Sequence, residues 1–162
     1  MAEMELVGVR VEMPSSSPIA LLREVGSTGR VLPIFIGAPE ATAIAFALEE
    51  VETPRPMTHD LMKNVLDDLG VTVAQVVVTA LKDATFYAEL HLVANGGSHQ
   101  VSSRPSDAIA LAARTGTPIF AAEAVLDEAA YALTEEDEEQ QEVVVEQFKE
   151  FIDNVNPEDF AS

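Results

Sequence analysis

The sequence predicts an α+β protein with a mainly antiparallel sheet, built from a β-β-β-α unit used twice and followed by an acidic C-terminal helical extension. Three observations carry that prediction. Several short runs alternate apolar and polar residues with the period of two that marks half-buried strands. The same order of strands, turns and alanine-rich helix returns at a shift of 67 residues without a gap. Charge is also unevenly placed: residues 1–122 hold 14 acidic and 8 basic side chains, whereas residues 123–162 hold 14 acidic and one basic, Lys149.

The first unit spans residues 4–51. Residues 6–13 (LVGVRVEM) alternate as a strand, and the Pro14 to Pro18 stretch is a turn. Residues 19–25 make a second strand with Ile19, Leu21 and Val25 on one face. Gly26-Ser27-Thr28-Gly29 has hairpin length and leads to a third strand at 31–36. Pro39 suits a first helical turn, so a helix is expected over 40–51.

A second helix is expected at 58–69, with Thr58 as its cap and Leu61, Met62, Val65, Leu66 and Leu69 as an apolar stripe. Gly70 suits its stop. The second unit, 71–115, then repeats the first. Strands are expected at 71–81, 86–93 and 98–103, with Asn95-Gly96-Gly97 as a hairpin signal. Pro105 precedes a helix at 106–114, with Ser106 as its expected cap. The shift lays Val9 and Val11 on Val76 and Val78, Gly29 on Gly96, and Glu40-Ala41 on Asp107-Ala108, a pattern that points to gene duplication, with chance similarity between two meandering sheets as the alternative. A short strand at 118–121 and a helix at 123–133 close a domain of residues 1–133. Residues 134–142 read as an acidic linker. Val144, Phe148, Phe151, Ile152 and Val155 then recur at helical spacing, a stripe that needs the body or another subunit to cover it.

Composition narrows the function. Hydrophobic residues make up 48% of the 162, too many for a disordered chain. No apolar run approaches the roughly 18 residues of a membrane span, and the acidic N-terminus lacks a secretory pattern. The absence of cysteine excludes thiol catalysis and Cys-based zinc sites and fits a cytoplasmic protein. The net charge of −19 disfavours tight nonspecific nucleic-acid binding, although the body alone is only mildly acidic. Standard catalytic and phosphate-loop signatures are missing.

Three polar groups stand out. Arg55, His59 and Asp60 lead into the central helix, where unpaired N–H groups favour anions. Arg104 and Asp107 open the second unit's helix, and Glu40 is the positional counterpart of Asp107. Carboxylates with a histidine would suit Mg²⁺ or Mn²⁺, whereas helix capping and dipole compensation also account for each acid. Tyr87, Glu89 and His91 share one face of their strand and either line a groove or face water.

Leu32-Pro33-Ile34-Phe35-Ile36-Gly37 with Glu40-Ala41, then Arg55-Pro56-Met57-Thr58-His59-Asp60-Leu61, Asp83-Ala84-Thr85-Phe86-Tyr87-Ala88 and the segment from Arg104-Pro105-Ser106-Asp107 to Ala112 together resemble the bifunctional nuclease domain family. The likeness runs in order from about Met4 to Ala130. It implies a duplicated α+β fold, self-association with a dimer favoured, and a nuclease acting on RNA and DNA. The family's polar motif positions fall on Glu40, Arg55, His59, Asp60, Arg104 and Asp107, all present.

Two readings follow. In the first, the protein is a metal-dependent phosphodiesterase. Glu40, Asp60 and Asp107 hold Mg²⁺ or Mn²⁺, His59 and Asp60 are catalytic, and Arg55 and Arg104 contact phosphate. In the second, it is a noncatalytic oligomeric module binding a small anionic ligand or a protein partner. Under either, the acidic residues 135–139 could mimic nucleic acid over an Arg55/Arg104 surface.

Overall fold

The computed structural model describes residues 1–26 and 29–132. The acidic linker, the apolar stripe at 144–155 and residues 27–28 of the Gly26-to-Gly29 connection lie outside these residues. The chain runs β1 (Ala2–Glu12), β2 (Ser17–Glu24), β3 (Arg30–Phe35), α1 (Ala38–Leu48), α2 (Thr58–Asp68), β4 (Thr72–Lys82), β5 (Thr85–Ala94), β6 (Gly97–Ser103), α3 (Pro105–Thr115), β7 (Ile119–Ala121), α4 (Glu123–Ala129) and β8 (Tyr131–Ala132). One eight-stranded sheet has the order β6-β5-β4-β7-β1-β2-β3-β8. Every pairing is antiparallel except β4 with β7. Because β7 runs with β4 and against β1, the two units face opposite ways on either side of it.

Local irregularities recur as well as elements. The bulge at Val7 in β1 lies 67 residues before the one between Val73 and Gln75 in β4. The bounds of α1 and α3 differ by the same 67 residues.

The main core sits between the helices and one face of the sheet. There Ala20, Leu22, Leu32, Ile34, Val76, Val78 and Ala88 meet Ile44, Phe46, Ile109 and Leu111. The small residues Ala41 and Ala45 of α1 and Ala108 and Ala112 of α3 are buried, so the two backbones pack closely. That approach sets the helix N-termini side by side.

Several expected boundaries move for physical reasons. Thr58 does not cap α2; Met57 does, and its backbone N–H donates to Asp60 Oδ2 at 3.0 Å. Ser106 is buried as the second residue of α3, and Arg104 is the N-cap. α1 stops at Leu48 rather than continuing to Val51. Val51 N–H bonds Phe46 O and Glu50 N–H bonds Ala47 O, a Schellman closure that puts Glu50 at φ 53°. The same closure ends α2 through Gly70, where positive φ costs nothing. The helix expected at 123–133 ends at Ala129 because β8 pairs with β3; residue 133 lies outside the described residues.

The apolar stripe of α2 divides. Met62 and Leu66 pack on the core, whereas Leu61, Val65 and Leu69 are exposed. Arg30 ties the first unit to α4, bonding Glu24 from β2 at 2.8 and 3.0 Å and Glu123 from α4 at 3.0 Å. Among the described residues no helix is long and apolar enough to cross a membrane.

Candidate functional site

The N-termini of α1 and α3 converge on one guanidinium. Glu40 and Asp107 occupy equivalent third positions of α1 and α3, and Arg104 is the N-cap residue of α3. Arg104 donates from Nε to Asp107 Oδ2 at 2.8 Å and from its terminal nitrogen to Glu40 Oε1 at 2.8 Å. The counterpart of Arg104 in the first unit is Gly37. A Cβ there would collide with Glu40 Oε2, so glycine gives the carboxylate room to fold back on its own helix end. One cation therefore serves two equivalent acids.

α2 approaches this pair through His59. The imidazole side chain is only 8% exposed, and its Nε2 lies 2.9 Å from Asp107 Oδ1. A carboxylate accepts only, so Nε2 carries the proton and donates. Asp107 thus receives Arg104 on one oxygen and His59 on the other. Burial works to raise its carboxyl pKa, but the hydrogen bonds and charges of Arg104 and His59 outweigh it and hold the group below its ordinary value.

The next residue, Asp60, turns to a different cation. Arg114 Nε donates to Asp60 Oδ1 at 2.6 Å, and the Arg114 terminal nitrogen donates to Ala110 O at 2.9 Å. Burial again raises the Asp60 carboxyl, and Arg114 together with the Met57 N–H carries it below the usual range. Asp107 and Arg114 are two turns apart on α3, so they share a face. His59 and Asp60, adjacent on α2, each take one of them.

The sequence did not single out Arg114. At the end of a helix it reads as a dipole-compensating charge; its seven-residue spacing from Asp107 was the available signal. Its side chain is 8% exposed, against 65% for Arg104, which leaves Arg104 as the accessible cation of the cluster.

Glu40, His59, Arg104 and Asp107 are therefore brought together, while Asp60 joins through Arg114. Arg55 is exposed in the segment before α2 and makes no ion pair among the described residues. The three carboxylates expected to share a metal do not meet at one point. Glu40 and Asp107 are engaged by Arg104, Asp60 by Arg114 and the Met57 N–H, and among the described residues no three His, Asp or Glu side chains gather at metal-holding distances. The donors present do not fit a shared Mg²⁺ or Mn²⁺ ion in this arrangement.

Tyr87, Glu89 and His91 lie on the sheet face turned away from the helices. His91 bonds Gln75 at 2.9 Å and Glu89 at 3.2 Å, and Tyr87 is exposed. They line no groove with the cluster.

Residues 20–134 match the bifunctional nuclease domain. An uncharacterized protein of Mycobacterium tuberculosis is 45% identical over 100% of this chain and 99% of its own length. Bifunctional nuclease 2 of Arabidopsis thaliana is 35% identical over 64% of this chain, and bifunctional nuclease 1 of the same plant is 31% identical over 63%. In both plant proteins the likeness covers 32% of their length, so this chain corresponds to about a third of each.

Proposed function

The chain belongs to the bifunctional nuclease domain family, and on that premise we propose that it hydrolyses phosphodiester bonds in RNA or DNA. The observation that carries this reading is the His59–Asp107 pair set beside the exposed Arg104. Asp107 accepts from Nε2, which leaves Nδ1 as the basic nitrogen. In the proposed step Nδ1 takes a proton from the attacking water as its oxygen bonds phosphorus. The ester P–O bond breaks, and the leaving oxygen takes a proton from solvent. Asp107 stabilises the imidazolium that forms.

Arg104 and Arg55 contact the phosphate in this scheme, with Arg104 exchanging a carboxylate for a phosphate oxygen. Asp60 is a positioning residue that fixes the start of α2 through the Met57 N–H and Arg114. No step is routed through a metal ion. The two β-β-β-α units are, in the same proposal, copies of one ancestral unit; the matching bulges and helix bounds support that.

The test is hydrolysis of RNA and of DNA by rigorously purified protein, with Mg²⁺, with Mn²⁺ and with a chelator. His59→Gln and Asp107→Asn should each lower the rate by about 10²–10⁴. Activity that survives both substitutions belongs to a contaminant and removes the catalytic reading. Loss of all activity in chelator would require a metal-bound rearrangement of Glu40 and Asp107 away from Arg104.

One feature favours the second reading, an anion-binding module: His59 is buried and both acids are already neutralised. Calorimetric titration with inorganic phosphate separates the two, because a binding module would retain phosphate affinity while showing no turnover. Sedimentation of the same preparation tests the expected dimer.

A further inference from the structure

The sheet carries a second, smaller core on the face opposite the helices. Alternation in β2 sends Ala20 and Leu22 to the helix side and Ile19 and Leu21 to the other. Ile19, Leu21 and Val31 form a cluster there, and among the described residues only Val7 and Tyr131 pack against it. Leu21 is nonetheless 0% exposed. Its partners in register are Gly8 on β1 and Pro33 on β3. Among the described residues, a glycine and a proline beside it are too small to reach over a leucine on an open sheet face.

We propose that residues 144–155 of the same chain dock on this face, laying Val144, Phe148, Phe151, Ile152 and Val155 over Ile19, Leu21 and Val31. Three observations select this occupant. The described chain ends at β8, whose Tyr131 pairs with Val31 at the edge of the cluster. The dozen residues from there to Val144 reach roughly 40 Å when extended, far more than the two strand spacings across the patch.

Charge is complementary as well. Residues 133–162 hold 11 acidic side chains and one basic. Arg10 and Arg23 flank the patch, opposite Ile19 and Val31 in register. Arg10 Nε is buried without a hydrogen-bond partner, and that guanidinium's ion pair with Glu12 is long at 3.6 Å. The competing apolar surface, Leu61, Val65 and Leu69 on α2, is 46–66% exposed and so stands uncovered.

The chain has no cysteine, which makes thiol cross-linking clean. Cysteine at Phe35, 63% exposed on the patch side of β3, is combined with cysteine at Gln147 or Asn154 in the full chain. As control, cysteine at Val65 is combined with the same two positions. A short bismaleimide should link the Phe35 pairs within one chain and leave the Val65 pairs unlinked. Links from Val65 alone, or links only between chains, would overturn the proposal. Adding Phe148→Asp and Phe151→Asp should reduce linking by at least roughly tenfold, since either lost burial exceeds that in free energy. Undiminished linking would equally overturn it.

Discussion

The two β-β-β-α units share element order, bulge position and helix bounds, yet water reaches them differently. In the first unit the middle of β2 is buried on both faces, Ala20 and Leu22 under the helices and Ile19 and Leu21 on the far side. In the second, β6 is an edge strand whose residues from Ser98 to Ser102 are all exposed. By strand register the counterpart of buried Leu21, which pairs Gly8, is His91, which pairs Gln75; it lies on the same face and is only half-buried. A repeated pattern therefore fixes which residues share a face, but not whether that face is covered.

The largest effect should come from testing that contrast directly. Leu21→Ala is expected to cost about 2–5 kcal/mol in urea denaturation, as a cavity in a sealed core. Val101→Ala, on the exposed edge strand, should stay within about 0.5 kcal/mol. Comparable losses at both sites would mean that the units are equally covered.

Acid should separate the units next. Asp107 and Asp60, which tie α3 to α2, both have pKa values lowered from 3.8. A depressed carboxylate contributes stability that is present above its unfolded pKa and lost as pH falls through the folded one. The α2–α3 contact is therefore expected to loosen below about pH 4, read as faster amide exchange in α2. β2 amides should hold at the same pH. Asp107→Asn should flatten the response of α2, and an unchanged profile would remove His59–Asp107 as a pH-dependent tie.

The smallest effect concerns how each unit ends its helix. α3 leaves through Gly116 at φ 69°, whereas α1 leaves through Glu50 at φ 53°. An L residue in this left-handed region costs about 1 kcal/mol relative to glycine. Glu50→Gly should raise the melting temperature and Gly116→Ala should lower it, by similar amounts. Equal signs would show that contacts of the side chain, not backbone strain, govern the exits.

Much of the fold was legible in the residues. Strand alternation, Asn95-Gly96 and the prolines opening both helices placed the elements to within a few positions, because these signals act through local backbone geometry. Thr58 and Ser106 misled as caps, since the backbone turned helical one or two residues earlier than their side chains suggested. The site was legible in part. Equivalence of Glu40 and Asp107 followed from the repeat, and His59 was singled out with Arg55 and Asp60 at the head of the central helix. Arg114 escaped notice because its partner, Asp60, lies 54 residues away.

By itself, the sequence determined the β-β-β-α unit, its recurrence and the four motif segments that carry the family likeness. Periodicity and turn chemistry are written over a few residues at a time, so they survive without tertiary information. Only the tertiary structure decided which charges meet. Close packing of two alanine-rich helices brings Glu40 and Asp107 to the single guanidinium of Arg104, and α2 then sends His59 and Asp60 to different partners. Ion pairing depends on distances of a few ångströms between segments far apart in the chain. Those distances are set by packing, which no local pattern encodes.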